Sequence, residues 1–350
     1  MRGPLAHARG SVAPAPLHPE GILRDLNEQW AQLGHDQAES GGVLRACAMT
    51  LVVAARDDAD ADQARATLAL LMRDHPSRAI VIRGRNHAGF DARVFAECWR
   101  PFGSAQQICS EGIEILAGPG TLEEVARFLV PLRVPDLPVV VWVRGSGPAD
   151  ALGVHPLYPL ADKILFDTRA EPDADAAIRS LRRLHAYGYR VADLHWTRLT
   201  GWREVIAHLF DDGARAGQRS GRRSPLAGIS DTAAALRCAL APDEIRAAHI
   251  GYGSGPVTTC ARYLEAWIRS SLPLARVSIA PEYSEPGLHS VTLSSAQGQL
   301  SVTRAGPSLE VSVPGGRYET TLPPVTEEAL MREELGIVEP DAVYERVLNA

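Results

Sequence analysis

Between Val43 and Trp196 the chain repeats one unit, an apolar run of strand length followed by a stretch with helical periodicity. VLRACAMTLVVAA, SRAIVIRG and VPDLPVVVWVRG are apolar through both faces. ADADQARATLALLMRDH and PDADAAIRSLRRLHAYG instead gather their apolar residues on one helical stripe. A strand with no polar face has to be covered on both sides, and helices between strands supply that cover. Strands alternating with helices of roughly 10–15 residues predict βαβ units around a mainly parallel sheet. ADKILFDTR and YRVADLHW read as further strands of that sheet, for a total of about five or six. ARVFAECWR and AQQICSEGIEILAG alternate apolar with polar residues, the pattern of an antiparallel hairpin. Thr121, with Glu124 three positions on, reads as a capping box for the helix LEEVARFLVPL.

The flanks differ. Residues 1–20 form a polar, Pro-rich tail expected to be disordered. Ile22, Leu23, Leu26, Trp30 and Leu33 then recur at helical spacing, so residues 21–42 predict an amphipathic helix and a loop. DDGARAGQRSGRRSPLAG sets arginines among Gly and Ser with no hydrophobic period, the composition of a linker over 212–226. Beyond it, GPVTTCARYLEAWIRSSL predicts a helix. RVSIAPEY, HSVTLSSAQGQLSVTRAG, LEVSVPGG and RYETTLPP alternate at period two and predict an antiparallel meander. The stretch from Thr326 reads as two short helices. The expected fold is therefore α/β: an N-terminal mainly parallel sheet with flanking helices over 43–211, then a smaller α+β domain over 227–350.

Charge and composition exclude several functions. The formal net charge is -6 over 350 residues, which gives no overall field to attract nucleic acid or an anionic membrane. Lys163 is the only lysine, so Schiff-base or P-loop chemistry has one candidate, and no Gly-rich loop precedes it. The five cysteines are widely spaced, with no CxxC and no zinc spacing, so reduced thiols and a cytoplasmic setting are expected. The N-terminal residues lack the continuous apolar core of a secretory signal.

No GxSxG, HExxH, EF-hand or Walker A string is present, and no catalytic residue, metal or cofactor is expected. Two places suggest anion binding. Arg83, Arg85 and His87 follow a strand at the sheet edge where open α/β folds bind ligands. Gly253 and Gly255 lie in HIGYGSGPVTT before a helix, although the spacing is not that of a dinucleotide loop. A His–Asp pair between His195 or His208 and Asp193, Asp211 or Asp212 is conceivable, but no nucleophile accompanies it. DLHWTRLTGWREVIAHLFD is the densest feature. It gathers Trp196, Arg198, Trp202 and Arg203 in a strand-to-helix turn, with Thr200 as the expected N-cap. Trp and Arg dominate protein interfaces, and they also stack within a chain; both readings stay open on residue type alone.

Several strings together resemble one family. HPSRAIVIRG, CSEGIEI, VPDLPVVVWVRG, ADKILFDT, DLHWTRLTGWREVIAHLFD and EELGIVEPDAVYERVL, in this order, are similar to OpcA, the glucose-6-phosphate dehydrogenase assembly proteins of cyanobacteria and actinobacteria. Trp142 departs from the pattern, being followed by Val143 where relatives often carry a second tryptophan. The resemblance implies a non-catalytic partner that assembles and allosterically activates glucose-6-phosphate dehydrogenase, with Trp196, Arg198, Trp202 and Arg203 as the contact. It leaves redox control unsupported, since no neighbouring cysteines are demonstrated. The alternative is a sugar-phosphate- or nucleotide-binding enzyme using the strand ends, with Arg83, Arg85, Gly253 and Gly255 as anion contacts.

Overall fold

Strand β2 (Met49–Ala54) and strand β6 (Val139–Val143) are buried almost end to end, and they pair in parallel at the centre of the first sheet. The computed structural model describes residues 17–37, 41–84, 86, 89–145, 147–148, 155–210, 241–314, 316–322 and 325–350. Outward from the centre, β2 pairs with β3 (Ser77–Gly84) and β3 with β5 (Gln107–Ala117). On the other side β6 pairs with β7 (Lys163–Phe166) and β7 with β8 (Val191–Asp193), all in parallel. β4 (Phe90–Trp99) closes one edge, antiparallel to β5.

Among the described residues the sheet has eight strands rather than five or six, because both strands of the hairpin join it and the first apolar run breaks in two. β1 (Val43–Arg45) pairs with β5; the Ala46 amide donates to the Cys109 carbonyl and the Ala48 amide to the Pro76 carbonyl. The chain thus steps from one partner to the next before β2 begins. The expected hairpin is β4–β5. Its close packing depends on Gly112, where an added Cβ would lie 2.1 Å from the Phe95 ring.

One face of this sheet carries α2 (Asp58–Leu71), capped by the Asp57 carboxylate on the Asp60 amide. Leu51, Val53, Val81, Val140, Trp142 and Leu165 pack there against Ala61, Ala64 and Leu68. The other face takes α1 (Pro19–Asp36), α3 (Leu122–Leu129) and α4 (Ala174–Ala186). α3 starts without the expected side-chain cap: the Thr121 hydroxyl donates to the Gly118 carbonyl and so binds backward into the turn. β8 is shorter than the sequence suggests, since Asp193 already caps α5 (Leu194–Thr197). α6 (Thr200–His208) follows with Leu199, not Thr200, at its N-cap.

The second sheet has six strands among the described residues. β9 (Ala247–Gly253), α7 (Thr259–Ser271) and β10 (Arg276–Tyr283) form a parallel βαβ unit. β11 (Leu288–Ser294) joins β9 antiparallel, and β12 (Gln299–Ala305), β13 (Ser308–Val313) and β14 (Gly316–Thr321) complete the meander. RVSIAPEY therefore lies outside the meander, because α7 carries the chain back to the same end before β10 starts.

The last two helices cross back to the first sheet. α8 (Glu327–Leu335) packs Leu330, Met331 and Leu335 beside α2. α9 (Ala342–Asn349) lies against α7 and α4. One hydrophobic core runs from Val52 and Ile80 through Trp196 and Tyr263 to Ile250 and Val302, so the two sheets share an interior. The basic linker lies outside the described residues.

The cysteine expectation is overturned in one place. Cys98 and Cys109 are register partners on β4 and β5, and a disulfide joins them, with Cα atoms 4.1 Å apart. Their separation of 11 in sequence becomes a contact only once the hairpin turn fixes the register.

Candidate functional site

The elbow after β8 is organised by one carboxylate. Asp193 is fully buried and accepts from the His195 amide at 2.9 Å, the Thr168 amide at 3.1 Å, the Thr168 hydroxyl at 2.6 Å and the Tyr263 hydroxyl at 2.7 Å. Burial pushes its pKa up to about 6 despite these donors. His195 does not pair its ring with Asp193. Its Nδ1 meets the Thr259 hydroxyl, and burial takes its pKa down to about 4. His195 and Asp193 thus form no ring–carboxylate pair, and Asp211 and Asp212 lie outside the described residues.

Trp196 sits next in the same turn, edge-on to Tyr263 at 6.0 Å and tilted over Tyr344 at 5.6 Å. Its Nε1 donates to Asp341 at 3.0 Å. The Arg203 guanidinium lies over the same ring, with Cζ 3.7 Å from its centroid. Arg198 turns elsewhere, to Asp167 at 3.0 Å, and Trp202 points into the shared core. Trp196 is 2% exposed and Trp202 5%. Both indoles are therefore packed within this chain, and Trp196 ties the end of β8 to α7 and α9. Burial lowers the Arg203 pKa, although the side chain is only half-buried and also donates to the Thr200 hydroxyl at 2.9 Å. Sequence alone gives the Trp/Arg cluster but not Tyr263, Tyr344 and Asp341, which come from distant helices.

The expected anion contacts do not converge. Arg83 lies between Asp58 at 3.2 Å, Asp62 at 2.5 Å and Glu114 at 3.0 Å, so its charge is already matched. Arg85 and His87 lie outside the described residues. Gly253 ends β9 of the second sheet and Gly255 lies in the bend just beyond it. The Gly253 amide donates to the Gly287 carbonyl, and a Cβ there would lie 1.8 Å from the Glu285 oxygen. That glycine accommodates a close backbone crossing. The single lysine is also committed: Lys163 Nζ meets Glu334 Oε1 at 2.5 Å and the Glu334 carbonyl at 2.8 Å.

The crevice between the C-terminal ends of β2 and β6 is where a doubly wound sheet reverses its strand order and binds dinucleotides. Here, among the described residues, three charged side chains meet. Arg144, just past β6, reaches Asp60 Oδ1 at 2.7 Å and Glu327 Oε2 at 2.8 Å, and lies over the Trp142 ring at 4.3 Å. The Arg56 amide donates to Asp60 Oδ2, so the first βα turn closes on a carboxylate. Glu327 comes from α8, and no local signal in the sequence joins these three positions. Among the described residues no group of three or more His, Cys, Asp or Glu side chains is placed to hold a metal ion. No helix of the described residues is long and apolar enough to cross a membrane.

Comparison with known proteins agrees with the sequence resemblance. Residues 69–183 match the family model described as glucose-6-phosphate dehydrogenase subunit N-terminal domain, and residues 189–348 match the corresponding C-terminal domain. An OxPP cycle protein, OpcA, of Synechococcus elongatus is 30% identical over 35% of this chain and 28% of its own length. Its counterpart in Synechocystis is 29% identical over 40% of this chain and 30% of its own. The chain spans less than a third of the length of these curated relatives. A 3-ketoreductase from Actinomadura kijaniata, solved with TDP-benzene and NADP, covers 88% of this chain and 94% of its own at 11% identity. Its TM-score of 0.45 carries no argument about ligand or reaction. On the two consecutive family matches and the named relatives, the chain belongs to the OpcA family.

Proposed function

We propose that this chain is a non-catalytic partner of glucose-6-phosphate dehydrogenase that binds the assembled, active dehydrogenase more tightly than its inactive form. The observation that carries the reading is the ion-paired cluster at that crevice. Asp60, Arg144 and Glu327 satisfy one another where a dinucleotide pyrophosphate would lie, and Lys163 is locked to Glu334. A family described by its association with that dehydrogenase supplies the partner. Activation then works by population shift, and its size is bounded by the difference in affinity for the two states. Trp196, Arg198, Trp202 and Arg203 serve the complex by holding the two sheets in one arrangement, since both indoles are already packed inside the chain.

The test against the enzyme alternative is a thermal-shift screen of the isolated chain with glucose 6-phosphate, 6-phosphogluconate, NADP and ATP. No ligand is expected to raise Tm. A clear rise with any of them, in the absence of another protein, would favour a substrate-binding enzyme.

A further inference from the structure

The turn between β4 and β5 carries Phe102, whose side chain is fully exposed. Single exposed apolar residues are common and need no explanation, but three features set this one apart. The tip is pre-organised. The Cys98–Cys109 disulfide closes the hairpin just beneath it, the Ser104 amide donates to the Pro101 carbonyl at 3.1 Å, and Gly103 takes the left-handed φ of 77° that the turn requires. A held aromatic loses little entropy on docking.

The tip is also cationic on an acidic chain. Arg100 is exposed and has no ion-pair partner among the described residues, and Arg73 lies over the Trp99 ring at 5.6 Å. The nearest acids along the chain are occupied: Glu97 with Arg65 at 3.7 Å and Asp74 with Arg332 at 2.7 Å. Finally, β4 is the outer strand of its sheet, and no described strand pairs with its far edge. The 4.1 Å Cα separation at Cys98 and Cys109 is that of a non-hydrogen-bonded pair. The backbone groups of Val94, Ala96 and Cys98 therefore point outward, along the side that leads to Phe102.

We propose that the β4–β5 hairpin tip is a docking knob, with Phe102 as its anchor and Arg100 and Arg73 flanking it, for an apolar pocket rimmed by carboxylates on a partner protein. The inference rests on the reading that the partner is glucose-6-phosphate dehydrogenase. The full chain is immobilised and titrated with its host's dehydrogenase at low and high salt, alongside F102D, F102A, R100E and the control Y187D, which alters an exposed tyrosine on another element. Both Phe102 variants are expected to weaken binding about tenfold or more, as loss of an aromatic anchor does. R100E should weaken it too and flatten the salt dependence, while Y187D stays within about twofold. If the unaltered chain binds and F102D binds within about twofold of it, the knob is wrong and the proposed function stands. If the unaltered chain does not bind the dehydrogenase, both are wrong.

Discussion

Arg203 lies over Trp196, with its Cζ 3.7 Å from the ring centroid, and the two together close the joint between the sheets. The contact has a cost as well as a gain. Arg203 Nε is buried without a hydrogen-bond partner, so desolvation offsets part of the cation–π attraction of roughly 0.5–2 kcal/mol.

Trp196→Ala should therefore be much the more damaging change. It leaves a cavity beside Tyr263 and Tyr344 and takes one donor from Asp341, which keeps the Val343 and Tyr344 amides, for a loss of about 3–5 kcal/mol. Arg203→Met keeps the packing and should cost less than about 2 kcal/mol. Urea unfolding of both variants checks the order; an Arg203→Met loss as large as that of Trp196→Ala would contradict it.

The crevice at β2 and β6 makes a second prediction. Removing Arg144 leaves Asp60 and Glu327 facing each other with no cation between them. Arg144→Met should destabilise the chain by about 3–5 kcal/mol, the cost of breaking a buried pair from one side. Replacing Asp60 and Glu327 as well, by Asn and Gln, should restore part of that loss. Thermal melts of the single and triple variants decide it, and no recovery would mean that charge balance is not what holds the cluster together.

Asp193 and His195 oppose each other in pH dependence. Asp193 titrates near 6 when folded, above an ordinary carboxylate, so the folded state holds the extra proton and stability from this group is lost as pH rises through 6. His195 titrates near 4 when folded, below an ordinary histidine, so stability from it is lost as pH falls from about 6.5 toward 4. Asp193→Asn removes the first effect, and its Tm should fall more steeply between pH 7 and 4.5 than that of the unaltered chain. His195→Gln should fall less steeply. Parallel curves for all three would refute the opposition.

The Cys98–Cys109 bridge closes a short loop, for which chain entropy suggests a stabilisation of about 2–3 kcal/mol. Non-reducing peptide mapping should recover the linked pair, and a reductant should lower Tm. Peptides carrying both thiols free in the unreduced protein would rule the bridge out.

Much of the first sheet was legible because its strands are buried on both faces: the runs around Val52, Ile80 and Val141 have no polar alternation to hide them. The β4–β5 hairpin was legible for the opposite reason, since β4 alternates. β10 was not, because a half-exposed strand alternates in the same way whether its neighbour runs parallel or antiparallel. The elbow was seen as a cluster but not in its direction. Whether an indole faces solvent or a helix depends on Tyr263 and Tyr344, which local periodicity does not connect to Trp196. Asp60, Arg144 and Glu327 were invisible for the same reason, each being an ordinary surface residue type at its own place in the chain.

The decisive measurement is size-exclusion chromatography of the purified chain mixed with its host's glucose-6-phosphate dehydrogenase, with the dehydrogenase's activity followed across the same fractions. Co-elution with a raised specific activity, and no turnover by this chain alone, is the expected result. Separate elution with unchanged activity, or oxidation of glucose 6-phosphate by the isolated chain, would contradict it.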